Sequence, residues 1–471
     1  MHDDSTICAI ATPPGSGAIS VIRISGRDTF RICQKIIRFK DRSKKKIQDL
    51  PANSIHYALV ENTNTLIDDV LVSVFVAPRS YTGEDVIEIS CHGAHYIQQQ
   101  ILELLVSSGA RLAGPGEFTQ RAFLNGKMDL SQAEAVADLI ASESAASHKV
   151  AINQIRGGFS KEINRLRDQL LQFISLIELE LDFSEEDVEF ADRTQLQGLV
   201  DNIHQHIQEL VRSFQLGNVI KQGVPVAITG KTNVGKSTLL NALLHEEKAI
   251  VSEIAGTTRD VIEDVINIEG YSFRFIDTAG LRLSSDTIEN IGIQKALKKI
   301  EQAYIVLYVM DAIQKPGEID RLAGKIKKRL KDLDKKLIFV LNKIDGLSDE
   351  ELSDLKNLRN FRNLDSKDKI IYISAFYNEN IDLLASLLVA QVRQKDSAEQ
   401  PVIVTNTRHF EALSRALEAI ERVRDGLKTN ITSDFLAMDI REVLHYLGEI
   451  TGEVTTDEIL GNIFSKFCIG K

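Results

Sequence analysis

Cysteine is scarce in this 471-residue chain, and its four copies lie far apart: Cys8, Cys33, Cys91 and Cys468 form no C-x-x-C pair. That spacing excludes a disulfide scaffold and fits a reduced, cytoplasmic protein. Long apolar runs are missing as well. The densest, Tyr304 to Met310, is seven residues, far short of the ~20 that a membrane-spanning helix needs. The opening segment MHDDSTICAIATPPGSG has neither a basic nor an apolar signal region, so neither secretion nor membrane insertion is expected. Positive charge is in deficit: 56 Lys and Arg face 67 Asp and Glu, a formal charge of −11. The chain as a whole is therefore no electrostatic sponge for nucleic acid, and any RNA contact must be a local basic patch.

What is present is ordinary globular composition, 43% hydrophobic and 26% charged, which rules out disordered, collagenous and low-complexity classes. At ~150 residues per domain the length predicts about three domains. Residues 1–125 alternate short apolar strands (Ala18 to Ile24, Asp69 to Phe75, Val86 to Ile89) with a helical run from Ile97 to Val106, the pattern of an α+β domain. After the turn Gly114-Pro-Gly116, Asp129 with Gln132 makes a helix start. The pattern is then helical through 217: Phe159, Ile163, Leu166, Leu170, Phe173, Ile177 and Leu181 form one apolar stripe. Residues 218–388 change to strand, loop and helix in alternation (VPVAIT, FRFID, YIVLYVM, LIFVLN, IIYIS), which predicts a mostly parallel sheet with helices on both faces. Helical periodicity resumes in 389–471, where Leu436, Ile440, Val443, Leu444 and Leu447 share a face. An α/β module thus interrupts a helical domain whose two halves must pack on each other.

Three charge runs read first as solvated surface. Ile177 to Phe190 carries seven carboxylates and no base, and Arg321 to Lys336 carries eight bases; each is expected to be a solvated face or loop. Lys35 to Lys46 is expected to be a loop. Cys91, His92 and His95 crowd within five residues without a fourth partner nearby, so they are assigned structural roles in preference to a metal site.

The chemistry concentrates in the middle module. Gly230-Lys-Thr-Asn-Val-Gly235-Lys236-Ser237 fits G-x-x-x-x-G-K-[ST] between the strand VPVAIT and the helical run STLLNALL. Its glycines let backbone amides wrap phosphate oxygens at a helix N-terminus, Lys236 supplies a cation to the outer phosphates, and the Ser237 hydroxyl suits Mg²⁺. Asn342-Lys343-Ile-Asp345 follows the strand LIFVL; a carboxylate there accepts the N1 and exocyclic amino protons of guanine, a pair adenine does not present. Ser374-Ala375 follows IIYIS and is placed to cap guanine's carbonyl oxygen. Asp277-Thr278-Ala279-Gly280 ends FRFID, where a carboxylate holds a metal-bound water and Gly280 offers its amide to the γ-phosphate; Gly256-Thr257-Thr258-Arg259-Asp260 supplies a second metal-binding hydroxyl at Thr258. Position 281 is leucine, which cannot orient water as glutamine does in many such domains, so the hydrolytic machinery must lie elsewhere.

With these motifs in hand, the whole chain resembles the MnmE (TrmE) family of tRNA-modifying GTPases. The segments ATPPGSGAISVIRISG, TGEDVIEISCHG, GPGEFTQRAFLNGKMDLSQAEAVADLI and the ending GNIFSKFCIGK carry the resemblance. It implies an N-terminal α+β folate-binding-like domain, a discontinuous α-helical domain and an inserted Ras-like α/β P-loop GTPase domain. It further implies that Asn233, with Ser252, Ile254 and Thr257, ligates K⁺, and that Mg²⁺ sits on Ser237 and Thr258. Val234, Gly235, Thr238, Glu253, Ala255 and Gly256 complete the family's GTP-binding set, and Glu289 matches the catalytic glutamate that orients the attacking water. A potassium ion at the phosphates does the charge-neutralising work of an arginine finger.

For the N-terminal domain the resemblance implies a site for 5-formyl- or methylene-tetrahydrofolate at a homodimer interface, with Arg23, Glu88, Lys127 and Lys471 on the folate positions. From spacing alone, Arg23 and Glu88 read as surface strand residues. The resemblance also implies an essential, catalytic role for the thiol of Cys468. Partners implied are tRNA and a flavin-dependent MnmG (GidA)-like protein that brings FAD, in a heterotetramer; the product is a carboxymethylaminomethyl or aminomethyl group at carbon five of the wobble uridine. Two rivals stand at this level: a ribosome-assembly GTPase switch, and a scaffold that uses GTP only to recruit partners.

Overall fold

The computed structural model describes residues 4–40, 46–63, 65–182, 193–246, 264–276, 300–331, 333, 335–357, 361–393, 402–429 and 431–471. The chain forms two compact units: one takes Met1–Ile140, Asn153–His204 and Arg415–Lys471, the other Ala141–Ile152 and Gln205–Ser414. Two of the crossings between units fall inside the helices Arg193–Gln222 and Thr407–Thr429.

The first unit contains a seven-stranded sheet built from β1 (Ile7–Ile10), β2 (Gly17–Ser25), β3 (Ile37–Phe39), β4 (Ser54–Asn62), β5 (Thr65–Phe75), β6 (Val86–Gly93) and β7 (Arg111–Leu112), in the order β3-β4-β5-β6-β2-β1-β7. All pairs are antiparallel except β1 with β7. Strict alternation along the strands sends Ile22, Ile24, Val70, Val72, Val74, Ile87 and Ile89 to one face, where Ile32, Ile36, Ile101 and Leu105 of the helices Thr29–Ile36 and His95–Ser107 close the core. The other face stays open, with Ile19 and Ile55 two-thirds exposed and Tyr57 and Leu71 about half.

In the same unit, Asp129 and Gln132 exchange side-chain and backbone hydrogen bonds at the start of the helix Leu130–Ile140, the reciprocal cap that the sequence signals. The stripe from Phe159 to Ile177 is buried along the helix Gly158–Asp182, and each of its large side chains contributes ~2 kcal/mol by leaving water. Leu436, Ile440, Val443 and Leu447 are buried on the helix Ser433–Thr451, which packs on that helix; Leu444 is half-exposed. Leu460, Phe464 and Phe467 join Leu130 and Ala133 in a smaller cluster that anchors the last helix, Asp457–Phe464.

The second unit carries a six-stranded sheet of β8 (Val224–Thr229), β9 (Asp264–Ile268), β10 (Tyr271–Phe275), β11 (Ile305–Asp311), β12 (Lys336–Asn342) and β13 (Lys369–Ile373), ordered β13-β12-β11-β8-β10-β9. Every pair is parallel except β9 with β10. Helices cover both faces: Lys236–Glu246 and Ile381–Val392 on one, Pro316–Leu330 and Asp349–Lys356 on the other. The mostly parallel α/β expectation is met.

One expectation fails. Lys35 to Lys46 is not a loop along its first part: Lys35 lies in the last turn of the helix Thr29–Ile36, and Ile37–Phe39 is strand β3. Ile36, Ile37 and Phe39 are buried, and these apolar residues between the bases outweigh the charge run. Residues 41–45 lie outside the described set, as does most of the acidic run after Asp182.

Candidate functional site

The nucleotide motifs meet at the C-terminal ends of the second unit's parallel strands β8, β12 and β13. After β8 the chain turns through Gly230, Asn233 and Gly235 at φ of 149°, 62° and 94° and enters the helix Lys236–Glu246. Alternation of positive and negative φ makes a concave nest of backbone amides, the form that suits phosphate. Gly230 is required by close approach as well as by φ, because a Cβ there would stand 2.2 Å from the Val309 carbonyl oxygen of β11. Lys236 Nζ donates to the carbonyls of Gly230 (3.1 Å) and Lys231 (2.5 Å), so its ammonium is already folded back over the loop. Asn233 and Thr238 are exposed, Val234 is buried, and Ser237 is half-buried in the first helical turn.

Asn342, 3% exposed at the end of β12, ties three motifs together. Its Nδ2 donates to the Val234 carbonyl (2.8 Å), and its Oδ1 accepts from the Ala375 amide (2.9 Å). A Cβ on Gly235 would stand 2.2 Å from that same Nδ2, which is why the loop needs glycine where asparagine braces it. Lys343 adopts the left-handed region at φ 70° and reaches Asp311 Oδ2 at 2.6 Å. Ser374 Oγ donates to Asp345 Oδ1 at 2.6 Å, fixing the orientation of the carboxylate. Asp345 is exposed. Thus the loop from Asn233 to Thr238 is brought together with Asn342, Lys343, Asp345, Ser374 and Ala375. Asp311, absent from that reading, is the partner that holds Lys343; its only signal is its place at the end of YIVLYVM.

Ser252, Glu253, Ile254, Ala255, Gly256, Thr257, Thr258, Asp277, Thr278, Ala279, Gly280 and Glu289 lie outside the described residues.

A second cluster forms in the first unit. Arg23 and Glu88 are direct cross-strand partners on β2 and β6, on the open sheet face, joined at 2.8–2.9 Å. Their side chains are only 15% and 26% exposed, so they are more enclosed than ordinary surface strand residues. The Arg23 guanidinium lies over the rings of Tyr81 and Phe118 at 5.5 and 5.6 Å and donates to the Gly470 carbonyl.

The C-terminal segment is gripped by the loop before the helix Glu117–Leu124. The Gly116 amide donates to the Cys468 carbonyl, the Phe118 amide to that of Lys471, and Pro115 bridges to Ile469. Glu117, bound by Arg111, Arg121 and the Gly114 amide, braces this loop; although burial raises its pKa, these hydrogen bonds hold it below the ordinary glutamate value. Burial, then the neighbouring Arg23, lowers the Lys471 pKa, while Glu88 and Cys468 pull the other way. Cys468 is exposed; Cys8, Cys33 and Cys91 are buried, and burial pushes the thiols of Cys8 and Cys91 up to about 11. Lys127 stands apart from this cluster, its ammonium on the Pro78 carbonyl at 2.9 Å. Cys91 Sγ contacts the Ser20 carbonyl, and His92 Nδ1 pairs with Asp68 at 2.7 Å.

The model of the GTP-binding protein TrmE N-terminus matches residues 6–127, and that of the MnmE helical domain matches residues 130–468. The chain is 54% identical over 474 residues to the tRNA modification GTPase MnmE of Bacteroides thetaiotaomicron, and 52% identical over 478 residues to that of Christiangramia forsetii. Each alignment spans the whole of both chains. The chain therefore belongs to the MnmE family of tRNA modification GTPases.

Proposed function

We propose that this chain hydrolyses GTP and couples the hydrolysis to modification of carbon five of the wobble uridine in certain tRNAs, installing a carboxymethylaminomethyl or aminomethyl group with a flavin-dependent MnmG (GidA)-like partner. The observation that carries the reading is the bracing of Asn342 against Val234 and Ala375, beside Asp345 oriented by Ser374, in a chain that aligns end to end with relatives named tRNA modification GTPase. Asp345 reads the guanine edge, Lys236 and the loop amides hold the phosphates, and Ser237 with Thr258 takes Mg²⁺. Asn233, with Ser252, Ile254 and Thr257, takes K⁺; its exposed amide in a left-handed turn suits a weakly hydrated monovalent ion. Glu289 orients the attacking water. Hydrolysis supplies domain closure and reopening, not the uridine chemistry.

The cluster of Arg23, Glu88, Lys471 and Cys468 takes a tetrahydrofolate carrying the one-carbon unit. A carboxylate such as Glu88 pairs with the amidine-like edge of a pterin, and cations hold carboxylates. Lys127 is the family's remaining folate position, and it would have to leave the Pro78 carbonyl to reach the ligand. Two copies of the chain pair across the open sheet face, and the exposed Ile19, Ile55, Tyr57 and Leu71 beside Arg23 and Glu88 support this.

Phosphate release by the purified protein tests the nucleotide half. In KCl it turns GTP over; in NaCl of equal concentration the rate falls by ~10-fold or more, since one lost charge-stabilising contact costs at least that. Equal rates in the two salts exclude the potassium role, and no turnover in either removes the hydrolase assignment.

A further inference from the structure

The helix Pro316–Leu330 carries a feature that neither the nucleotide site nor the folate cluster uses. Between Lys315 and Lys336 nine bases face four acids, a local excess of +5 in a chain whose net charge is −11. Ile319, Leu322, Ala323, Ile326 and Leu330 bury one side of the helix. Arg321, Lys325 and Lys328, at steps of four and three, line the opposite side, and Arg329 and Lys331 flank them; all five are exposed. Lys327 is different, because it points toward the body and pairs with Asp368 at 2.6 Å. Bases in the last turn are favoured by the helix dipole, which accounts for Lys328 and Arg329. It does not account for Arg321 and Lys325, one to two turns earlier.

We infer that this face is a docking surface for the phosphate backbone of tRNA. The inference rests on the proposed action on tRNA and names where that substrate is held. Charge segregation is one argument: a strip of one sign, spanning ~10 Å along the helix axis, attracts a polyanion although the whole chain repels it. The absence of an apolar centre is the other. No large hydrophobic residue of this helix is exposed, whereas protein interfaces carry an apolar, aromatic-rich core. Phosphate contacts need none, and they fix position without reading sequence. The strip therefore supplies affinity, and choice among tRNAs lies elsewhere. Glu318 on the same helix pairs with Lys231 of the phosphate loop, so a substitution set that spares Glu318 leaves the nucleotide site braced.

The test uses the full-length protein with unmodified tRNA transcripts, titrated by fluorescence anisotropy from low to physiological salt. Relative to the native chain, the triple variant R321Q/K325Q/K328Q binds tRNA ~10-fold more weakly or worse at physiological salt, and its log Kd–log salt slope is shallower by ~2–3. Its GTP affinity and melting temperature are unchanged. A charge-matched control, K149Q/K161Q/K428Q, drawn from exposed positions elsewhere, binds as the native chain does. An unchanged affinity and slope in the first triple overturns the inference, as does unchanged tRNA binding with lost binding of the flavoprotein partner, which would make the face a protein contact. If the native chain itself neither binds tRNA nor alters its wobble uridine, the proposed function fails, and the helix face falls with it.

Discussion

Replacing Asp345 by asparagine is expected to weaken GTP binding by ~10²–10⁴-fold, from the loss of two charge-assisted hydrogen bonds worth ~1.5–3 kcal/mol each. In the proposed role the native carboxylate accepts two protons from the guanine edge, whereas the asparagine amide has a single acceptor and turns an NH₂ toward a base that also donates there. Xanthine, with a carbonyl where guanine has its amino group, accepts from that NH₂, so the variant gains on xanthosine triphosphate what it loses on GTP. The fold is not at stake. Asp345 is exposed, and the asparagine oxygen can still accept from Ser374 Oγ, the partner seen at 2.6 Å. Competition of GTP and xanthosine triphosphate against a fluorescent guanine nucleotide reads both affinities; a GTP affinity within ~3-fold of native would remove Asp345 from base recognition.

The second large effect concerns Gly470. It sits at φ 95°, and a Cβ there would stand 2.3 Å from the Ile10 carbonyl oxygen and 3.0 Å from Ala11 Cα. Those are backbone atoms of the neighbouring strand and loop, so they cannot swing aside. Gly470→Ala is thus expected to lift the segment from Cys468 to Lys471 off its loop, breaking the Arg23 contact to the Gly470 carbonyl and the Phe118 contact to that of Lys471. Misplacement of a reacting group by about 1 Å costs ~10²-fold in rate. Modified nucleoside formed per minute should therefore fall by ~100-fold, while phosphate release from GTP stays at the native rate because the nucleotide site lies in the other compact unit. Modification within ~2-fold of native would separate the Cys468–Lys471 segment from the chemistry.

The sequence and the structure agree most closely where chemistry and periodicity coincide. The phosphate loop, Asn342 to Asp345 and Ser374 announce themselves because each sits at a strand end, and the stripe from Phe159 to Ile177 because its period is helical. What could not be read depends on pairs distant in sequence. Nothing in the string says that Asn342 would brace Gly235, that Asp311 would hold Lys343, or that the loop at Gly116 would grip Cys468 some 350 residues later. Arg23 and Glu88 look like solvent-facing strand positions by alternation alone; they are enclosed because Tyr81, Phe118 and Gly470 close over them. The basic run at Lys35 misled for a local reason, since three buried apolar residues between the charges were enough to make a helix end and a strand.

The central claim is that this guanine-nucleotide site powers a change at the wobble uridine, and nucleoside mass spectrometry of total tRNA tests it most directly. Cells lacking the chain are complemented with the native gene or with Lys236→Ala, which removes the ammonium folded over the phosphate loop. The account predicts that the native chain restores the carbon-five derivative and that the variant leaves unmodified uridine. Full restoration by the variant, or a derivative that persists when the chain is absent, would contradict it.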